Sequence, residues 1–365
     1  MVFFSRIEFI PFLVLLVVLT LSTLGLIILY STSGGIFASW PLKQLYAMAV
    51  FIPLMIIIQY IPIKYIYNFS YHIYFLSITL LILAEFLGYS AMGAQRWIKI
   101  GPFNLQPSEM SKIATILALA RYFHSINHED VSKLKNLIVP SIIGLIPVFL
   151  IIKQPNLGTA FILLVIISTI FFIAGVSLRK FGIVIILLLV SIPLVWNNMH
   201  DYQKRRVKTF INPDDDILGA GYNIIQSKIA IGSGGIHGKG LLNGTQTQLS
   251  FLPEKHTDFI FTVLAEELGF IGVALTIALY SLLFLLFYWM GLKCQNFYGT
   301  AIIFAILSMI FIHFIINTAM ISGLIPVVGT PLPFLSYARS NTAISFMSVG
   351  IAMSCYRYRS KKRLR

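Results

Sequence analysis

Leu249 to Gly269 reads LSFLPEKHTDFIFTVLAEELG. Six polar or helix-breaking residues, Pro253 through Asp258, run directly into a predominantly apolar segment whose only charged residues as far as Met290 are Glu266 and Glu267. An apolar run longer than the ~20 residues needed to cross ~30 Å of hydrocarbon predicts a membrane-spanning helix. A polar loop that ends at its first turn then places a carboxylate, Asp258, at the seam between water and lipid. Runs of the same kind recur along the whole chain. Of 365 residues, 58% are hydrophobic and 11% charged, more apolar surface than a soluble chain of this length can cover. Alternation of the β-barrel type is absent, so the expected fold is an all-α integral membrane protein.

Hydropathy predicts helices over 7–30, 42–60, 64–88, 108–124, 136–152, 159–176, 180–197, 258–290, 298–322 and 340–356. That is a bundle of about ten transmembrane helices. The first run is too long for a cleaved signal peptide and lacks a small-residue cleavage site, so it is read as a retained helix. With the N-terminus inside, the inner loops carry Lys64, then Lys133 and Lys135, then Arg179 and Lys180, then Lys293, and finally the tail Arg357 to Arg365. Both termini are therefore expected to be cytoplasmic. The basic residues behind the net charge of +14 are scattered over these loops, which argues against nucleic acid and for anionic lipid at the tail. Cys294 and Cys355 fall at inner helix ends, where thiols stay reduced. No internal repeat or second domain is visible, so residues 1–365 form a single polytopic domain.

Several outer segments carry polar chemistry. Tyr89 to Pro107, punctuated by Gly93, Gly101 and Pro102, suits a small surface hairpin with Trp97 as an interfacial anchor. The following helix opens at Pro107, with Ser108 as a candidate cap, and places Glu109 and Lys112 on one face. Those two either neutralise each other or set Lys112 toward a polar cavity. KQPNLGT, Lys153 to Thr159, is a short turn, and His128, Glu129 and Asp130 make a solvated one. The extracytoplasmic loop of about 197–257 is the one long extramembrane segment. It contains the basic cluster Lys204, Arg205, Arg206 and Lys208, which suggests an anionic ligand. Asp214, Asp215 and Asp216 follow as a solvated turn. Its glycines, Gly232 to Gly244, fit neither a dinucleotide nor a Walker frame, since His237 and Ser233 stand where glycine is required. They leave a flexible loop whose amides and Lys239 are available to phosphate. Gly323 to Ser340, with three prolines, is expected to fold rigidly over the bundle.

Asp258 has two readings: an ordinary helix N-cap, or a reactive carboxylate. Glu266 and Glu267, farther along the same helix, need partners, and Lys112 is a candidate. One accessible carboxylate can act as general base on a sugar hydroxyl while nearby cations stabilise a leaving diphosphate. That fits glycosyl transfer from a lipid-diphosphate donor. Neither a Ser/His/Asp arrangement nor HExxH is present, so a protease does not fit. No cofactor is implied, although a divalent cation could accompany the diphosphate.

Gly232 to Gly272, GSGGIHGKGLLNGTQTQLSFLPEKHTDFIFTVLAEELGFIG, resembles the signature of the SEDS family, the bacterial shape, elongation, division and sporulation proteins, and within it the elongation branch. AQRWIKIGPFNLQPSEMSK (Ala94 to Lys112), QPNLGT (Gln154 to Thr159) and PLPFLSY (Pro331 to Tyr337) extend the likeness over essentially the whole chain. The resemblance implies a peptidoglycan glycosyltransferase of the bacterial cytoplasmic membrane that polymerises lipid II alongside a class B penicillin-binding protein and the elongation machinery. It implies that Asp258 is the general base and that Glu109 and Lys112 are a functionally important pair. Charge and side add Arg96, Arg206 and Lys239 as diphosphate contacts, with His256 beside them at the substrate. Ala338 and Arg339 stand where the family usually has two glycines, and Asn156 where many members carry aspartate. The main rival reading is a flippase for the lipid-linked precursor, which should show charges along several mid-membrane spans and inverted repeats; the second is a catalytically silent scaffold for the cell-wall machinery, against which the intact Asp258 motif counts.

Overall fold

The computed structural model describes residues 9–91, 94–100, 103–198, 201–212, 220–249 and 251–360. Helices stand where hydropathy placed them: α1 (Phe9–Thr32), α2 (Trp40–Tyr60), α3 (Ile63–Leu87), α4 (Pro107–His124), α5 (Leu134–Lys153), α6 (Leu157–Ile173), α7 (Leu178–Asn198), α11 (Ile260–Lys293), α12 (Phe297–Ile321) and α13 (Arg339–Arg357). Among the described residues, six of them, α1, α2, α3, α5, α11 and α12, are long and apolar enough to cross a membrane. α4 and α13 carry more polar side chains, and both are buried over most of their length by the helices around them. Their neighbours are protein rather than lipid, which is what allows the polarity. α7 turns Ile183 to Leu187 outward, as a lipid-facing helix does.

Close approach and backbone repair hold the bundle together. At Gly350 of α13 a side-chain carbon would fall 2.7 Å from the Met55 carbonyl, so α2 and α13 meet backbone to backbone. Pro147 inside α5 has no N–H for the Ile143 carbonyl, and the Tyr74 hydroxyl of α3 donates to it at 2.8 Å. α11 is not one smooth rod. Gly269 takes φ 64° and ψ −160°, a conformation that excludes other residues, and breaks the helix after its first ten residues.

The 197–257 segment departs from the expected loop. It contains α8 (Asp201–Ile211), α9 (Ala220–Gly234) and the single turn α10 (Thr245–Gln248), with α9 packed along α11. Ser227 of α9 shares a 2.7 Å hydroxyl contact with Thr262 and donates to the Ile321 carbonyl at 3.0 Å. Asp214 to Asp216 lie outside the described residues. The expected hairpin is an antiparallel three-stranded meander of β1 (Tyr89–Ala91), β2 (Ala94–Ile100) and β3 (Phe103–Leu105), with Trp97 opposite Tyr89.

These pieces gather at one end of the bundle. Gln248 reaches Ser31 at the end of α1, Trp40 at the start of α2 meets His256, and Ser340 at the start of α13 bonds the Asn104 carbonyl. The free thiols Cys294 and Cys355 lie together at the opposite end.

Candidate functional site

Glu109 and Lys112 are separated by one turn of α4 and form an ion pair of 2.9 Å, with only 4% and 1% of each residue exposed. A buried ammonium stays charged only if its environment replaces water. Here α12 brings His313 Nε2 to 2.8 Å from Lys112 Nζ, and α13 brings Asn341, which donates to Glu109 at 3.0 Å. Ser108 does not cap α4: Gln106 holds the cap position, and the Ser108 hydroxyl is buried with no partner among the described residues. The expected approach of Lys112 to Glu266 or Glu267 does not occur, because its ammonium is already held on two sides.

Glu266 is instead the hub of the glycine-rich segment. Fully buried, it accepts from Lys239 Nζ at 2.8 Å, the Gln246 amide at 2.9 Å, and the Thr247 hydroxyl and amide at 2.9 and 3.2 Å. The amides of Lys239 and Gly240 donate to the carbonyls of Glu266 and Glu267, both at 3.0 Å. That corrects the expected phosphate cradle: these amides and the Lys239 ammonium fasten the segment to α11 ahead of the Gly269 break. Ser31 of α1 donates to Glu267 at 2.5 Å. Replacing Glu266 by alanine removes the acceptor for these four donors and for the Thr245 hydroxyl at 3.3 Å, and removing one partner of a buried pair costs about 3 kcal/mol or more. Glu266→Ala is expected to lower the melting temperature and open 239–248 to limited proteolysis; wild-type resistance would refute the clasp.

The turn that carries Asp258 is fixed from several sides. The amides of Thr257 and Phe259 both donate to the Glu254 carbonyl at 3.2 Å, and the Thr257 hydroxyl donates to the Glu254 carboxylate at 2.8 Å. Lys255 donates to the Thr247 carbonyl at 2.6 Å. His256 stacks on Trp40 with ring centroids 4.2 Å apart, and its carbonyl accepts from the Tyr337 amide at 3.0 Å. Burial holds the His256 imidazole below its ordinary pKa, so at neutral pH it is an uncharged ring rather than a diphosphate clamp. Asp258 does not cap α11. Phe259 occupies the cap position without a side-chain bond, and among the described residues nothing donates to the Asp258 carboxylate. Loss of solvation pushes that carboxyl up to about 7; the Glu254 charge adds to the rise and Arg206 opposes it. An unclaimed carboxylate poised near neutrality is what a general base requires.

Beside it lies a cavity of about 180 Å³ whose wall includes Arg96, Arg206, Asn156, Gly158, Pro326 and Val328. β2 and α8 thus deliver two of the predicted cations to one place. Arg96 is aimed by its bonds to the carbonyls of Gln154, at 2.9 Å, and Pro155. Asn156 has a defined task as the N-cap of α6, accepting from the Thr159 amide at 3.4 Å. Asp258 itself packs against Gly329, the residue after Val328 of that wall: a side-chain carbon at Gly329 would stand 3.2 Å from Asp258 Oδ2. Asp258, Glu109, Lys112, Lys239 and His256 are not among the residues lining the cavity. Ala338 is extended, with φ −156°, so no left-handed turn is needed there; Arg339 opens α13 and donates to the Tyr337 hydroxyl at 2.7 Å. Among the described residues no group of three His, Cys, Asp or Glu could hold a metal ion.

The site thus sets a carboxylate with a raised pKa near an arginine-lined cavity at one end of a helical membrane bundle. The chain belongs to the FtsW/RodA/SpoVE family of cell cycle proteins, whose profile matches residues 11–361. It is 39% identical over 350 residues to the peptidoglycan glycosyltransferase MrdB of Escherichia coli K12, covering 94% of this chain and 93% of that one. It is 30% identical over 419 residues to the peptidoglycan glycosyltransferase RodA of Treponema pallidum, covering 94% and 96%. Among solved structures, a chain of a peptidoglycan synthase complex that coordinates polymerization and crosslinking superposes with TM-score 0.82 at 29% identity, over 96% of this chain and 98% of that one.

Sequence reasoning named Asp258, Arg96 and Arg206 but missed His313, Asn317, Asn341 and Trp40. A signal for two of them was available. His313 and Asn317 stand four apart inside the otherwise apolar α12, and polar groups at that spacing share a face that must be buried against something polar.

Proposed function

We infer that this protein polymerises lipid II into glycan strands during bacterial cell elongation, with Asp258 as the base and the arginine-lined cavity as the seat of the lipid diphosphate. The observation that carries this reading is that the Asp258 carboxylate lies against Gly329, the residue next to Val328 of the cavity wall, and feels the charge of Arg206 from that same wall. The Asp258 carboxylate takes the proton from the attacking sugar hydroxyl of the acceptor. The oxygen then attacks the anomeric carbon of the donor, the bond to the lipid diphosphate breaks, and Arg96 and Arg206 receive the departing negative charge. Direct attack inverts that carbon. A divalent cation, where used, is expected to travel with the diphosphate.

The site end of the bundle is assigned to the outside of the cytoplasmic membrane, with both termini in the cytoplasm. The supporting observation is basic charge at the opposite end, at Lys64, Lys293, Arg357 and Arg359. A class B penicillin-binding protein is the expected partner, since cross-linking must follow polymerisation and no second catalytic arrangement was found in the sequence.

Two measurements on the purified protein in liposomes test this. Arg206→Gln is expected to raise the KM for lipid II about tenfold, the worth of one charge-assisted contact; an unchanged KM would remove Arg206 from the substrate. The rate against pH should show an acid limb near 7, where Asp258 loses its proton. Only the ionised form can accept a proton, so activity falls below that limb. Glu254→Gln removes a neighbouring negative charge and moves the limb to lower pH, whereas Arg206→Gln moves it higher. A limb that ignores both changes belongs to another group.

A further inference from the structure

We propose that Asn317 is a positioning residue for the reaction, holding the main chain of Asp258 at a fixed distance from the arginine-lined cavity. It rests on the reading of Asp258 as the base. Asn317 lies in α12 and is fully buried. Its Nδ2 group donates twice, to the Asp258 carbonyl at 2.9 Å and to the Thr330 carbonyl at 2.8 Å. Both partners are carbonyl oxygens, so the amide must turn its NH2 group toward them and its orientation is fixed.

The two carbonyls belong to separate segments. Asp258 ends the turn before α11, while Thr330 ends the stretch whose Pro326, Val327 and Val328 line the cavity. Among the described residues no direct hydrogen bond joins these segments at Asp258, and Gly329 lies in the gap between them. The shape of the turn is set by its own bonds to the Glu254 carbonyl. What Asn317 sets is where that turn stands relative to the cavity wall. His313, one turn earlier on the same face of α12, holds Lys112. One rigid helix therefore references the Asp258 turn to the Glu109–Lys112 pair, and Asn317 bridges that turn to the loop at Asp258 and Thr330, while the Tyr337 amide joins them two residues earlier in the turn, at the His256 carbonyl.

The charged and titratable groups around Asp258 are Glu254 on its own turn, His256 two residues earlier and Arg206 from α8; α12 faces it with the neutral Asn317, and the Gly329–Thr330 segment carries no charge. Asn317→Asp keeps the volume, cannot donate, and adds a carboxylate. With lipid II in liposomes, kcat is expected to fall about 10- to 100-fold, the cost of a misplaced reacting group, with KM for lipid II within about threefold because the arginines are untouched. The acid limb should move to higher pH. A kcat within twofold of wild type with the limb unmoved would overturn the proposal, as would a loss that merely tracks the fraction of unfolded protein. If the aspartate variant does not accumulate, Asn317→Gln carries the test: the same donors on a longer arm should lower kcat and leave the limb in place, and wild-type kcat would again overturn it. Asp258→Asn, run alongside, separates the two readings. If Asp258→Asn polymerises normally, the proposed function fails and takes this inference with it. If that variant is inactive while Asn317→Asp is normal, only the positioning role fails.

Discussion

Asp258→Asn is expected to abolish lipid II polymerisation, by at least about 100-fold, while the purified protein keeps its wild-type melting temperature. The amide has nearly the shape of the acid but cannot take a proton at neutral pH, and positioned general bases contribute roughly 10²–10⁴-fold. Stability is expected to hold because the carboxylate is no structural partner. It does not cap α11, and among the described residues nothing donates to it. Burial and the Glu254 charge in fact oppose its ionised form, so neutralising the side chain relieves that cost at pH 8, above the folded value of about 7. Activity is to be read as glycan strands on a gel and folding as a melting curve. Strand synthesis at the wild-type rate would remove Asp258 from the chemistry, and a collapsed melting curve would make it a structural residue.

The second large effect concerns the fold. Lys112→Met leaves the Glu109 carboxylate buried with Asn341 as its remaining contact, and removing one member of a buried pair costs about 3–5 kcal/mol. Little folded protein should be recovered. Glu109→Gln together with Lys112→Met replaces the ion pair by two neutral side chains of similar size, and the amount of folded protein should rise again. Strand synthesis is expected to return with it, because Lys112 is held between Glu109 and His313 and does not line the cavity. If folding returned without synthesis, Lys112 would belong to the substrate site.

The bundle was largely legible because membrane thickness imposes one length on every crossing. Ends set by that constraint fell within a few residues of the observed ones, as at 298–322 against Phe297–Ile321. Where no such ruler applies, the reading was poorer. α8, α9 and α10 lie between the crossings. α9 is a 15-residue helix with glycine in its last turns, stabilised by packing on α11 rather than by its own propensity. Pairings of charge were misread for a related reason. Lys112 and Lys239 were both visible as cations, but a sequence does not say which carboxylate lies within 3 Å of each.

The sequence by itself determined the membrane, the crossings and the position of a carboxylate at the start of one of them, because hydrophobic length and charge are properties of local stretches. It also supplied the cations. Which of those cations line the cavity was decided only by the tertiary structure, since that depends on distances between residues far apart in the chain. Arg96 and Arg206 meet at one cavity although 110 positions separate them, while Lys239 is consumed by Glu266. Long-range packing likewise places Asn317 between Asp258 and Thr330, so that one amide ties a turn to a loop 72 positions away.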